Sequence, residues 1–312
     1  MNKIKKVNIY FLLILLLGIF AAYPLAYIFK IFNIADYRIK LFITHMTIFI
    51  LPAIIYLKLS RKSIKDTLRI NKLYFKDMLL LILLAFICQP MVTFLSLISQ
   101  LVFPNNVATV ITSILNTPYI VFLLLFAVMP AITEEITVRG IVLSGYDDEN
   151  MYISALITGL FFGIMHLDGQ QFLYAVALGI ILALVVRITK SIFSSMLIHF
   201  IINGTSVTLS KIIQLLPSAD EGVKAASDTA LTSMPKVVII SAIVFYGLLS
   251  IISFVITCLI LKKLIGLNIK RGVITKEEVR FKNNIGRSIK DIINIPTLGI
   301  IIIYIVYMIN FI

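Results

Sequence analysis

Nine blocks of nearly unbroken apolar residues run through the chain, at roughly 8–31, 39–57, 77–102, 118–146, 151–167, 172–188, 192–216, 236–263 and 295–312. A hydrocarbon core takes about 20 apolar helical residues per crossing, and most of the blocks reach that length. No soluble globule could hide them. Of the 312 residues 60% are hydrophobic and only 14% charged, against about 25% charged in an average soluble domain. Continuous blocks are neither the heptads of a coiled coil nor the polar tracts of a disordered chain. The expectation is an all-α fold: a polytopic transmembrane helical bundle of eight or nine helices, forming a single integral membrane domain over 1–312. The blocks at 151–167 and 172–188 are short, and 105–117 reads as a surface helix or a loop. Cys88 and Cys258 both sit in apolar runs, which argues against a disulfide scaffold or a cysteine-based metal site. The first block has the basic start of a signal peptide (Lys3, Lys5, Lys6). Its length, the lack of a small-residue cleavage site and the spans that follow mark it as a retained helix.

The net charge of +13 would suit nucleic acid, but its distribution suits a membrane better. With the N-terminus placed in the cytoplasm and the spans alternating, 22 of the 28 basic residues fall on inner segments and six on outer ones, as orientation by positive charge requires. The clusters in 58–76 and 262–290 then meet anionic lipid headgroups, and no nucleic-acid partner is expected. The only sizeable polar pieces are 58–76, 262–294 and the outer loop 217–235. No internal repeat of the transporter kind is visible.

In such a chain the informative residue is an ionisable one inside a span, because it is expensive there and by default marks a functional site. Twelve of the 15 acidic residues lie in loops or at span ends, and Asp168 sits at a span edge. Only Glu134 and Glu135 are embedded in an apolar run. Of three histidines, His166 and His199 are embedded as well, while His45, early in the second block, reads as structural or interfacial. Glu135 and Arg139 are i, i+4 and can pair, which leaves Glu134, about 100° round the helix, free. His199 and Asn203 share a face by the same spacing, and Phe162 stands one turn before His166. Asp147–Asn150 is the polar break expected at a hairpin tip. At about 1.5 Å per residue, Glu134 and His166 both lie roughly 20–24 Å from it. His199 is only some 13 Å beyond the turn at Thr189–Lys190 by the same rise, so unequal protrusion of the helices must bring it level. Pro24, Pro52, Pro90 and Pro130 are expected to kink helices, and Gly159, Gly163, Gly179 and Gly204 to allow close helix contact.

A carboxylate, two imidazoles and a carboxamide gathered at membrane depth can hydrolyse a bond. Glu134 can take a proton from water, one histidine can orient that water, and the other histidine with Asn203 can hold a developing oxyanion. The structural alternatives are a buried ion-pair cluster at Glu134 and Glu135, a core His166 bonded to a backbone carbonyl, and His199 with Asn203 as interhelical hydrogen-bond glue. One Glu and two His, here Glu134, His166 and His199, also make a zinc ligand set with an open position. The H-E-x-x-H arrangement of soluble zinc proteases is absent.

These residues resemble the CPBP family, the CAAX-prenyl-protease and bacteriocin-processing integral membrane proteins also called Abi. That family shows E-E-x-x-x-R, F-x-x-x-H and H-x-x-x-N in transmembrane helices. They read here as Glu134-Glu135-Ile-Thr-Val-Arg139, Phe162-Gly-Ile-Met-His166 and His199-Phe-Ile-Ile-Asn203, in order. The resemblance covers about 118–216, the expected catalytic four-helix core. It implies an intramembrane endopeptidase in which Glu134 is the base, His166 the water partner, and His199 with Asn203 the oxyanion site, with Glu135, Arg139 and Phe162 in support. It implies a peptide or protein substrate within the membrane. The Ile-, Lys- and Asn-rich composition suggests a bacterial plasma membrane, hence maturation or self-immunity connected with bacteriocins or surface proteins. No cofactor is favoured, because Asn203 beside His199 suits an oxyanion pair; zinc stays open. The other functions weighed are a non-catalytic bacteriocin self-immunity or scaffold protein, and a proton-coupled transporter.

Overall fold

A backbone N–H or C=O left unpaired in hydrocarbon costs several kcal/mol, so a chain that crosses it without closing a barrel must be helical. The computed structural model describes residues 2–215, 235–280 and 291–309, and among these every regular element is a helix. In chain order they are α1 (Lys3–Phe20), α2 (Ala22–Ile31), α3 (Tyr37–Ser60), α4 (Ile64–Leu68), α5 (Phe75–Gln100), α6 (Asn106–Ser113), α7 (Tyr119–Val142), α8 (Met151–Met165), α9 (Gly169–Thr189), α10 (Phe193–Gln214), α11 (Lys236–Lys270), α12 (Lys276–Val279) and α13 (Ile295–Ile309). The outer loop expected at 217–235 falls, but for Pro235, outside the described residues, as does 281–290 of the basic segment.

Among the described residues the expected eight or nine full spans are not all found. Six described helices are long and apolar enough to cross a membrane, or seven when α1 and α2, bent by 52°, form one span. The blocks at 151–167 and 295–312 are helical too, but α8 and the described part of α13 have 15 residues each. Fifteen residues rise about 22 Å, short of a hydrocarbon core of about 30 Å. Helix α8 tolerates this because protein encloses it. Ten of its 15 residues, Phe161 and Phe162 among them, are buried. The turn that follows it therefore lies at membrane depth, where non-helical backbone is tolerated only against protein or a wet cavity.

The alternation expected from charge is reproduced in which segments lie together. Lys3 pairs with Asp148, Asn2 bonds Asp291, Arg69 and Arg187 both hold Asp147, and Lys190 pairs with Glu278. The starts of α1 and α13, the α7–α8 tip, the α9–α10 turn and α12 thus share one end of the bundle. The stretch read as helix or loop at 105–117 contains α6.

Each of the four prolines follows an irregular turn, as its missing N–H dictates. Pro24 follows the bend at Ala21 and Pro90 the interruption at Cys88. Pro52 follows a π-helical turn at Met46–Ile50, and Pro130 another at Leu124–Val128. Helices α8 and α9 touch backbone to backbone. A Cβ on Gly159 would stand 2.7 Å from Ile180 N, and one on Gly179 would stand 2.8 Å from Gly159 Cα. Gly204 is different: there a Cβ would meet Leu123 and Ala127 at 3.6 and 3.9 Å, an ordinary contact. Gly159→Val should therefore lose at least the ~1–3 kcal/mol typical of overpacking and lower the melting temperature in detergent, while Gly204→Ala should melt like the parent. Equal melting of all three proteins would contradict this packing.

Candidate active site

The two adjacent carboxylates are presented by α7, where the helix is least regular. The π turn at Leu124–Val128 and Pro130 precede them, and a second π stretch, Ile136–Val142, begins directly after Glu135. Such i→i+5 turns are rare and recur at functional sites. Glu135 is fully buried and accepts from Arg139 Nη1 at 2.8 Å, the i, i+4 pair read from the sequence. The Arg139 guanidinium, equally buried, also donates to Gly179 O at 3.3 Å and lies 4.0 Å over the Phe162 ring.

The third motif meets the first through His199. Its Nδ1 lies 2.9 Å from Glu135 Oε1, and its Nε2 lies 4.0 Å from Glu134 Oε2. A carboxylate paired with Arg139 can only accept, so Nδ1 carries the proton and Nε2 is directed at Glu134. The height difference computed from residue counts is removed by unequal protrusion. Gly140 sits against Leu68 and Ile192, at distances of 2.5 and 3.6 Å for an added Cβ. Helix α10 thus starts level with residue 140, and the rest of α7 with its tip projects beyond that turn. Seven residues up α10 from Ile192 and five back along α7 from Gly140 bring His199 to Glu135.

The second motif joins through Phe162. Its ring lies 4.9 Å from that of His166 and 5.8 Å from that of His199, edge-on to both. One phenyl ring, expected from spacing only to stand one turn before His166, therefore spaces the guanidinium and two imidazoles. His166 closes α8 and bonds Phe162 O through Nδ1 at 2.7 Å. A carbonyl only accepts, so His166 too keeps its proton on Nδ1 and leaves Nε2 with its lone pair. Leu167, at φ 50°, then reverses the chain, and Asp168 caps α9 by accepting from the Gln170 and Gln171 amides.

Asn203 donates to Phe126 O at 3.2 Å. That carbonyl lies four residues before Pro130, which has no N–H to give it. The proline thus exposes an acceptor that the third-motif amide takes, with one N–H of Asn203 left for another partner. Glu134 differs from its neighbour. Both Oε2 atoms are buried without a hydrogen-bond partner among the described residues. Glu135, however, is held through Oε1 by Arg139 and His199, whereas the contact made by Glu134 Oε2 is the 4.0 Å approach of His199 Nε2, a state that is costly unless the position serves a reaction.

Two side chains at the site were not assigned to it from the sequence. Thr133, beside Glu134, is buried and bonds the Met129 carbonyl. His45, read as structural or interfacial, lies 2.6 Å from the Thr133 hydroxyl and within electrostatic reach of Glu134, His199 and His166. All three histidines of the chain therefore border one region. Only the scarcity of histidine in an apolar chain could have hinted at the third, since helical spacing says nothing about which separate helices meet. A metal is a separate matter. Among the described residues no group of three His, Cys, Asp or Glu side chains is arranged closely enough to hold a metal ion.

The buried pair generates a prediction. Arg139→Leu leaves the Glu135 carboxylate uncompensated and should cost about 3–5 kcal/mol, read as lost resistance to unfolding in detergent. Adding Glu135→Gln should restore much of it. A single variant as stable as the parent would show that the pair is not the anchor.

Among curated proteins and among solved structures no match to the chain is found. Residues 116–205 match the family model described as Rce1-like, type II CAAX prenyl endopeptidase Rce1-like. That segment runs from just before α7 through the HxxxN motif and covers less than a third of the chain. The match supports an intramembrane CAAX-type endopeptidase, a hydrolase carried by a multi-pass membrane protein, and is consistent with the CPBP family to which the three motifs point.

Proposed function

We propose that the protein hydrolyses a peptide bond in a membrane-associated or membrane-delivered peptide or protein, with Glu134 as the general base for water. The observation that carries this reading is the buried, unpartnered Glu134 Oε2 facing His199 Nε2 across 4.0 Å. A water held by Glu134 and by the free Nε2 of His166 gives its proton to Glu134 as its oxygen adds to the scissile carbonyl. That proton then passes to the departing amine nitrogen, and an acid and an amine are released. The transient oxyanion accepts from the second N–H of Asn203 and from His199 Nε2 while that ring holds the water's proton, relayed to it from Glu134 before it passes on to the amine. Glu135 and Arg139 touch no substrate in this scheme. They fix the tautomer and direction of His199, as the third member of a nucleophile–base pair commonly does. In a low-dielectric site such fixed dipoles act far more strongly than in water.

The segment 118–216 is the catalytic four-helix core in this proposal, and the flanking helices scaffold it. The N-terminus lies in the cytoplasm of a bacterial cell, so the end bearing Lys3, Arg69 and Lys190 faces inward. There Lys58, Arg61, Lys62, Lys65, Lys72 and Lys76, with Lys262, Lys263, Lys270 and Lys276, are exposed and meet anionic lipid headgroups. The substrate is a peptide undergoing maturation or inactivation, in the manner of bacteriocin processing.

Glu134→Gln should leave insertion and stability unchanged and lower cleavage by at least about 10²–10⁴-fold. Expressed in native membranes, it should retain substrate peptides that mass spectrometry identifies after capture. Wild-type rates in the Glu134→Gln protein would reject the base assignment. If cells carrying it keep full protection against a bacteriocin and no peptide is processed by the parent, a non-catalytic immunity or scaffold role replaces the protease. Chelator should leave the parent's cleavage unaffected; a loss restored by Zn²⁺ would give Glu134, His166 and His199 a metal-binding role instead.

A further inference from the structure

His45 lies on α3, outside the segment that matches the family model and outside all three motifs. It is the last α-helical residue before the π turn Met46–Ile50, and its ring packs against Phe49 at 4.6 Å. This part of α3 packs against the Met129–Glu135 turn of α7. His45 Nε2 is 2.6 Å from Thr133 Oγ1, and that hydroxyl donates its own hydrogen to Met129 O at 2.9 Å. A hydroxyl has one hydrogen, so Thr133 accepts and His45 donates from Nε2. His45 is therefore the Nε2–H tautomer, whereas His166 and His199 carry their protons on Nδ1.

From this geometry we infer that His45 is a positioning residue for the proposed base. Its Nε2–H bond to Thr133 fixes the rotation of the α7 turn that aims Glu134 at His199. The inference rests on the hydrolytic reading for its catalytic consequence, but not for the contact itself. The residue before Glu134 is a natural handle. Rotating that turn by one small step swings the carboxylate; Glu135 holds the turn from the Arg139 and His199 side, and His45 holds it at Thr133, with π turns on both sides. The bond is also separable from folding. Without His45, Thr133 still donates to Met129 O, so no buried donor is orphaned and the usual penalty for breaking a buried hydrogen bond does not arise.

The chain has three histidines, so a ¹⁵N-histidine-labelled sample in micelles gives three assignable imidazoles, and nitrogen shifts report each tautomer. His45 should show protonated Nε2 and bare Nδ1, and His166 and His199 the reverse. His45→Leu and Thr133→Val should each move the His199 Nε2 resonance in the direction that Glu134→Gln does. His45→Gln, which keeps an N–H at the ε position, and Thr133→Ser, which keeps the hydroxyl, should restore it. In proteoliposomes with a fluorogenic reporter peptide bearing a prenylated CAAX sequence, His45→Leu should lower kcat about 10- to 100-fold, the scale of a misplaced catalytic group. KM should be unchanged, His45→Gln should recover most of the rate, and the Leu/Val double variant should be no slower than either single one. An Nδ1–H tautomer at His45, or a His199 resonance unmoved in His45→Leu, overturns the inference whatever the cleavage assay gives. A parent that leaves the reporter uncut speaks against a prenylated CAAX substrate alone, and the nitrogen shifts still decide the positioning role.

Discussion

A guanidinium and a carboxylate with no solvent exposure, bonded to each other inside an apolar bundle, constrain everything around them. Arg139 and Glu135 are both 0% exposed, and neither could be left there alone. Desolvating either charge costs several kcal/mol, which attraction offsets only when the geometry is good and the remaining polar atoms find partners. Those further partners are the ones that build the site. Gly179 O and the face of Phe162 take the guanidinium, and His199 Nδ1 takes the carboxylate. The partners of one ion pair, which still leave Glu135 Oε2 and Arg139 Nε without a hydrogen bond among the described residues, thereby tie α7 to α8, α9 and α10 and direct His199 Nε2 at Glu134.

The second constraint is backbone irregularity. Pro130 cannot supply an N–H to Phe126 O, and the side chain of Asn203 supplies one. The π turns on either side of Glu134 and Glu135 accompany adjacent carboxylates that serve different ends, one paired with Arg139 and one facing His199 Nε2. The short α8 places its closing turn, with His166, at membrane depth. At Pro130 a local defect costly to a membrane helix is answered by a polar group from another helix, and that group is a motif residue.

Much of this was legible from spacing. The i, i+4 pair of Glu135 and Arg139, the approach of Phe162 to His166, the hairpin tip at Asp147 and the irregular turns before four prolines, one of them a 52° bend, follow from helix periodicity and the missing proline N–H. The number of full spans was not, because a 15-residue helix enclosed by protein has the same composition as the middle of a longer one in lipid. The meeting of His199 with Glu135 contradicted simple residue counting until α10 was seen to start level with Gly140. Phe162 as a spacer for three cationic or basic groups, and His45 with Thr133, had no signature at all.

The division has a physical cause. Composition and periodicity determine by themselves that this chain is helical and membrane-spanning, that Glu134, Glu135, His166 and His199 lie within apolar helices, and which neighbours share a face, since those follow from solvation and a fixed 3.6-residue turn. Tertiary structure alone decided the relative heights of the helices, which face meets which, and the tautomer of each histidine. Those depend on glycine contacts, π turns and unequal protrusions, whose effects accumulate over tens of residues and leave no local mark.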